Sequence, residues 1–206
     1  MAEFDVQDGM TVRDYLRILR RNWGIILAAT TLGVAGAGAF SALSVPQYQA
    51  STQLYVSVRS TGVDGALSDL TQGGTYARQA VLSYVDVVTS ASVLGAVIED
   101  LGLDLQIPEL RDMVSSSSPT NSVLIDIRVT GPDPDQAAAI ANSAGGNFAE
   151  VVTTVLERPT DGGASPVQIS AIEEATSPPT PVSPHTTRNL ALGFVLGLVV
   201  GLGLAA

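Results

Sequence analysis

The sequence predicts an α+β domain held between two membrane-spanning helices, and three observations carry that prediction. Two long uncharged apolar runs lie near the ends, at 24–45 and 189–206. The segment between them alternates apolar and polar residues in some stretches and repeats at helical spacing in others. Only 15% of the 206 residues are charged, against roughly 25% in a soluble domain, while 46% are hydrophobic.

Composition also excludes chemistry. All ten basic residues are Arg, there is no Cys, and His185 is the one histidine. Without Lys there is no phosphate-loop lysine and no Schiff base. Without Cys there is no disulfide frame, thiol nucleophile or thiolate metal site. No catalytic constellation, metal site or cofactor site is expected, so the chain reads as a non-enzyme.

Residues 1–23 read as a basic amphipathic leader. Val12, Tyr15, Leu16 and Leu19 share a helical face beside Arg13, Arg17, Arg20 and Arg21, and Thr11 with Asp14 fits a capping pair. An anchor drawn to anionic lipid is the simplest role for it. The run 24–45 follows. Its 22 residues cover about 33 Å, enough for a hydrocarbon core of about 30 Å. A signal peptide would also place basic residues before an apolar run. Its apolar part is usually about 7–15 residues, shorter than this one. The Arg cluster before the run makes the N-terminus cytoplasmic, with Arg20 and Arg21 at the boundary and Trp23 at the interface.

The segment 46–175 is then an extracytoplasmic domain. Ala50, Thr52, Leu54, Val56 and Val58 alternate with polar neighbours, a half-buried strand. Residues 60–74 read as a loop. Thr75–Leu101 carries two helical faces, with Ser90 or Ser92 as cap of the second. A short helix starts at Pro108, and Ser115–Ser118 with Pro119 reads as a turn. Val123, Ile125, Ile127 and Val129 mark the strongest strand. Asp133 and Pro134 then open a helix to about Glu157, weakened by Gly145-Gly146. A Pro/Gly turn at 159–166 leads to a third strand at 167–173. The order is β-α-α-β-α-β, with helices on one face of a small sheet.

A Pro-rich connector, 176–188, joins the domain to the second span, 189–206. Pro178, Pro181 and Pro184 recur every third residue, the pitch of a polyproline II helix, and predict a stiff strut. Arg188 marks the outer boundary of the span. The span's 18 residues cover about 27 Å and stop without a polar flank. That ending points to a natural chain that continues past Ala206, or to a boundary that cuts the span. With two spans, the C-terminal end is cytoplasmic as well.

Gly193, Gly197 and Gly201 lie four apart on one face of the second span, the small-residue spacing of helix association; Gly33 and Ala37 are a weaker counterpart in the first. These five are the candidate packing residues, within the chain or between copies. Asp133 and Asp135 resemble a fragment of a calcium loop but lack its Gly and Glu, so capping explains them better. Adjacent Glu173 and Glu174 point to opposite strand faces and make a poor glycosidic pair. Gly73-Gly74 and Gly162-Gly163 lack a phosphate-loop context. Segment 46–188 holds 16 acidic residues and six Arg, a net −10 that argues against nucleic acid.

The pieces resemble one family in order and spacing. DYLRILRRNW before the first span, VPQYQASTQLYVSV after it, LGLDL, TNSVLIDIRVTGPDPDQAAAIAN, and PPTPVSPHTTRNLALGFVLGLVVG into the second span are similar to Wzz-type chain-length determinants. These are the polysaccharide co-polymerases of bacterial surface polysaccharide assembly. The resemblance is to the short Gram-positive or actinobacterial branch, since no long heptad helix projects from the domain. It implies a plasma-membrane homo-oligomer that sits beside a polysaccharide polymerase and the growing polysaccharide and biases polymer length. It also implies a cytoplasmic tyrosine autokinase as partner, fused beyond the second span or on a separate chain. The alternative function is therefore an activator or sensor half of such a kinase.

Overall fold

A computed structural model describes residues 20–58, 67–158, 165 and 167–205, with side chains described from 75 onward in the second of these stretches. The chain divides into two compact units. One comprises its two ends, up to Pro46 and from Ser183; the other is Gln47–Val182.

The first unit consists of α1 (Trp23–Leu43) and a C-terminal helix (Thr186–Ala205). Each is long and apolar enough to cross a membrane. Neither has a polar stripe. Leu27, Leu32, Phe40, Phe194, Leu196 and Leu204 are all exposed, as residues meeting lipid or another span should be.

The second unit is the α+β domain expected from the sequence. It contains β1 (Tyr48–Val58), α2 (Leu67–Val88), α3 (Ala91–Leu101), α4 (Ile107–Met113), β2 (Val114–Ser117), β3 (Leu124–Gly131), α5 (Pro134–Val151) and β4 (Val167–Glu173). The C-terminal helix is α6. The sheet is antiparallel throughout, in the order β2-β3-β1-β4. Counting α2–α4 as one helical layer, this is the β-α-β-β-α-β ferredoxin-like arrangement.

Hydrophobic alternation sets the sheet's register. Ala50, Thr52 and Leu54 of β1 lie opposite Val129, Ile127 and Ile125 of β3. All six point into the core. A one-residue slip would turn every one of them to the solvent face. The opposite face carries Gln49, Gln53, Asp126 and Arg128, with an Arg128–Asp126 ion pair at 3.3 Å. One covered and one wet face is the usual condition of an antiparallel sheet.

The helices start and stop as local chemistry dictates. Ser90 caps α3 by accepting from the Val93 amide. Asp133 caps α5 by accepting from the Asp135 and Gln136 amides, with Pro134 in the first turn. Glu109 closes a capping box on Gln106 at α4. Gly102 ends α3 at φ 58°, and Leu103 N–H reaches back to the Ile98 carbonyl at 3.0 Å. That is a Schellman stop, and it explains Leu101-Gly102-Leu103 physically. Helices α2 and α3 meet at 56° and are jointly apolar enough to pass for a broken span. Val81, Tyr84, Val88, Val93, Leu94 and Val97 are instead buried in the domain core.

Four expectations need correction. Ser115–Ser118 is not a turn. Val114–Ser117 is an edge strand, because pairing with β3 outweighs its poor intrinsic strand preference. The turn sits later, where Asn121 takes φ 58° and Ser122 N–H bonds to the Pro119 carbonyl. The sheet thus has four strands, not three. Residues 67–74 are helical rather than loop, with Gly73 and Gly74 inside α2. The helix opened by Pro134 ends its α-form at Val151, and Val152–Leu156 is a π-turn. Gly145 does more than weaken α5. It faces β1, where a Cβ would stand in ordinary contact with Leu54, 3.4 Å from its Cδ2. The leader's capping pair, residues 60–66 and the turn at 159–164 lie outside the described residues.

Beyond the π-turn, Glu157 is held by two phenols. Tyr84 donates to its Oε1 at 2.5 Å and Tyr76 at 3.1 Å. Burial first, then the hydrogen bond to Glu157 and its charge, push the Tyr84 pKa far above the ordinary value of about 10. The folded state therefore holds a proton that the unfolded chain releases above about pH 10. Stability is full below that pH and falls as pH rises toward the folded value. Thermal melts between pH 8 and 12 should show this decline, and Tyr84→Phe should flatten it while lowering stability at neutral pH. An equally steep decline in the variant would contradict the assignment.

Candidate functional site

The sequence-predicted residues come together in the helical pair. Helices α1 and α6 run antiparallel, and their contact is backbone against backbone. A Cβ on Gly193 would lie 2.5 Å from the Gly33 carbonyl oxygen and 2.7 Å from Ala37 Cβ. One on Gly197 would lie 2.7 Å from Thr30 Cα, and one on Gly201 2.9 Å from Ile26 Cα. In the other direction, a Cβ on Gly33 would overlap the Gly193 carbonyl. No real side chain fits at these distances. The three glycines of α6 thus face Gly33, Ala37, Thr30 and Ile26 along one continuous line.

Polar groups close both ends of this line. Asn22 Nδ2 donates to the Ala205 carbonyl at 2.7 Å. Asn189 Nδ2 donates to Ser41 Oγ at 3.0 Å. Between them, buried Thr30 satisfies its hydroxyl on the Ile26 carbonyl of its own helix at 2.7 Å. In a hydrocarbon setting such bonds fix the sliding position of one helix on the other. Sequence reading missed all four polar residues. The available signal was a carboxamide at each apolar boundary, Asn22 and Asn189.

The connector is placed within the domain by three fastenings. Asn142 of α5 grips Ala175 twice: Nδ2 donates to the Ala175 carbonyl at 2.9 Å, and Oδ1 accepts from its N–H at 2.8 Å. Ser177 Oγ donates to Asp135. Val182 N–H bonds to the Gln47 carbonyl at 2.7 Å. Segment 174–182 therefore lies along α5 and the start of β1, with no regular secondary structure. Pro178 and Pro184 are half-buried, and Pro181 is exposed. Asp135, considered above as a calcium ligand, serves this fastening instead. Among the described residues no group of three or more His, Cys, Asp or Glu is placed to hold a metal. Arg20, Arg21, Arg188 and His185 are exposed.

Together these features define a two-span membrane protein. Its spans pack through glycine, and it carries a one-sided α+β domain. The resemblance read from the sequence is found again by direct comparison. Residues 8–101 match the model of the Wzz family, Chain length determinant protein. The chain is 26% identical over 200 residues to the probable capsular polysaccharide biosynthesis protein YwqC of Bacillus subtilis, covering 96% of this chain and 77% of that one. It is 27% identical over 192 residues to the capsular polysaccharide biosynthesis protein CpsC of Streptococcus pneumoniae, covering 90% and 78%. Identity to the capsular polysaccharide biosynthesis protein CapA of Staphylococcus aureus is 22% over 188 residues, covering 91% and 80%. The chain is thus similar to the Wzz family over residues 8–101 and to capsular polysaccharide biosynthesis proteins of Gram-positive bacteria over most of its length.

The glycine line makes a contrast that can be measured. Gly33→Leu drives a side chain into the Gly193 backbone, and overpacking of this kind costs about 1–3 kcal/mol. Gly36→Leu meets nothing within 4 Å. In detergent melts, Gly33→Leu and Gly197→Leu should separate the helices well below the wild-type temperature, while Gly36→Leu stays within a degree or two. Equal behaviour of Gly33→Leu and Gly36→Leu would sink the close-packed seam.

Proposed function

We propose that this chain is a polysaccharide co-polymerase: a membrane scaffold that regulates the chain length and export of a surface polysaccharide. The observation that carries this reading is the collinear similarity to capsular polysaccharide biosynthesis proteins, which runs through both apolar helices and the domain between them. The mechanism is geometric. The helix pair holds the domain at the membrane, and the domain holds polymerase or polymer in position for a characteristic time. No step makes or breaks a covalent bond on the chain's own residues. The composition supports this, since Lys and Cys are missing and His185 is the one histidine.

The finer features belong to the same proposal. The N-terminus and the end of α6 face the cytoplasm, which agrees with four Arg in the leader and with the positive-inside rule. The domain is extracytoplasmic, and the leader meets anionic lipid. Several copies assemble into a homo-oligomer, using the lipid-facing surfaces of α1 and α6 left free by the glycine line. Gly193, Gly197, Gly201, Gly33 and Ala37 act by holding the two spans of each copy together. Pro178, Pro181 and Pro184 stiffen the fastened connector, and Arg20, Arg21 and Arg188 mark the membrane boundaries. A polysaccharide polymerase is the extracellular-side partner, and a tyrosine autokinase is the cytoplasmic one.

Deleting the gene and sizing the surface polymer on gels tests the reading. The expected result is a displaced or broadened length distribution with less polymer at the surface, restored by the wild-type gene. An unaltered length distribution together with unaltered export would refute it.

A further inference from the structure

An apolar groove runs beside the glycine line of the helical pair. Its walls are the exposed side chains Ile25 and Leu32 of α1 and Leu196 and Leu204 of α6. Its floor is the close-packed backbone at Gly33 and Gly197. The groove holds about 640 Å³, within the roughly 300–1,000 Å³ of ordinary ligand sites, and its lining is apolar throughout. On each helix it covers eight steps, Ile25 to Gly33 and Leu196 to Leu204, about 12 Å at 1.5 Å per residue. That is close to the depth of one leaflet, about half of a 30 Å hydrocarbon core.

The mouth of the groove carries positive charge. Ile25 and Leu204 stand just inside the point where Asn22 bonds to the Ala205 carbonyl. Arg20 and Arg21 precede Asn22 in a helical turn of their own, and both are exposed. Arg21 is four residues before Ile25, about 6 Å along a helix. Segments 20–46 and 183–205 contain no Asp or Glu, so the helical pair itself offers these guanidiniums no counter-charge. A slot one leaflet deep with two cations at its mouth matches a molecule with a long hydrocarbon tail and an anionic head. Basic sites between spans at a membrane surface take up such headgroups, and the guanidinium fork suits phosphate.

A second copy of the chain fits less well. Copies insert in the same direction, so a neighbour's span would bring its own Arg20 and Arg21 to the same depth and set like charges together. A helix about 10 Å across would also rest on the walls, whereas an unbranched acyl chain reaches the floor. We propose that this groove binds one acyl chain of an anionic phospholipid whose phosphate is held by Arg20 and Arg21. The site goes beyond the co-polymerase reading, which makes no use of the groove. It also gives a fixed position to the leader's general attraction for anionic lipid.

Photoactivatable lipids test the site on the full chain. The protein is reconstituted in phosphatidylcholine vesicles that contain a small share of phosphatidylglycerol with a photoreactive group on its acyl chain. Phosphatidylcholine with the same group is the control, and labelled positions are read by mass spectrometry. Phosphatidylglycerol should label the groove walls about fivefold more than Leu27 and Phe194, which are exposed on other faces of α1 and α6. Phosphatidylcholine should label both sets alike. Arg20→Gln/Arg21→Gln should remove the difference between the two lipids. Ala28→Leu enlarges an exposed lining residue and should lower groove labelling while both Arg remain. Gly36→Leu, outside the groove, should change neither. Even labelling around the pair by phosphatidylglycerol, equal groove labelling by the two lipids, or unchanged labelling in Ala28→Leu would overturn the proposal. So would a groove that is labelled only after dilution of the protein with excess lipid, since a second copy would then be its occupant.

Discussion

The structure depends first on how two apolar helices recognise each other without a hydrophobic driving force. In hydrocarbon, leucine gains nothing by leaving lipid for another leucine. Association has to come from close packing and from polar bonds. The chain supplies both on one line. Glycines of α6 let its backbone approach Gly33, Thr30 and Ile26 to distances that no side chain permits. Carboxamides at the two ends, Asn22 and Asn189, add bonds with fixed positions. The large side chains Leu32, Phe40, Phe194 and Leu204 are left on the outside. The helices thus spend their small residues on each other and present their bulky ones to lipid or to neighbours.

The domain obeys a different solvent and a different rule. Its core is ordinary hydrophobic burial, with helices on one side of an antiparallel sheet and polar residues on the other. Its charge is distributed accordingly. The leader holds Glu3, Asp5, Asp8 and Asp14 against four Arg and is neutral overall, so the whole net −10 lies in segment 46–188. The missing Lys and Cys then acquire a meaning beyond excluded chemistry. Among the titratable side chains that are engaged, Asp133, Asp135, Glu109 and Glu157 cap helices or fasten segments. Their work is positional.

Much of this was legible from periodicity and punctuation. Alternation in β1 and β3 specified the faces that register later confirmed residue by residue, and Ser90, Asp133 and Pro134 announced their helices. The spacing of Gly193, Gly197 and Gly201 put them on one α6 face, though not opposite Thr30 and Ile26. What escaped was decided by tertiary partners. Ser115–Ser117 has a turn's composition and becomes strand because β3 offers a ladder. Asn142 is an unremarkable helix residue until Ala175 comes within reach of both ends of its amide.

The central claim is that α1 and α6 of one chain are locked in a single antiparallel alignment. The chain contains no cysteine, so an introduced pair reports without background. Ser41→Cys with Asn189→Cys, replacing side chains now bonded at 3.0 Å, is oxidised mildly in native membranes. The account predicts rapid, near-complete disulfide formation within one chain. It predicts little for Phe40→Cys with Asn189→Cys, since Phe40 is exposed away from the contact. Equal cross-linking of the two pairs, or disulfides only between chains, would contradict it.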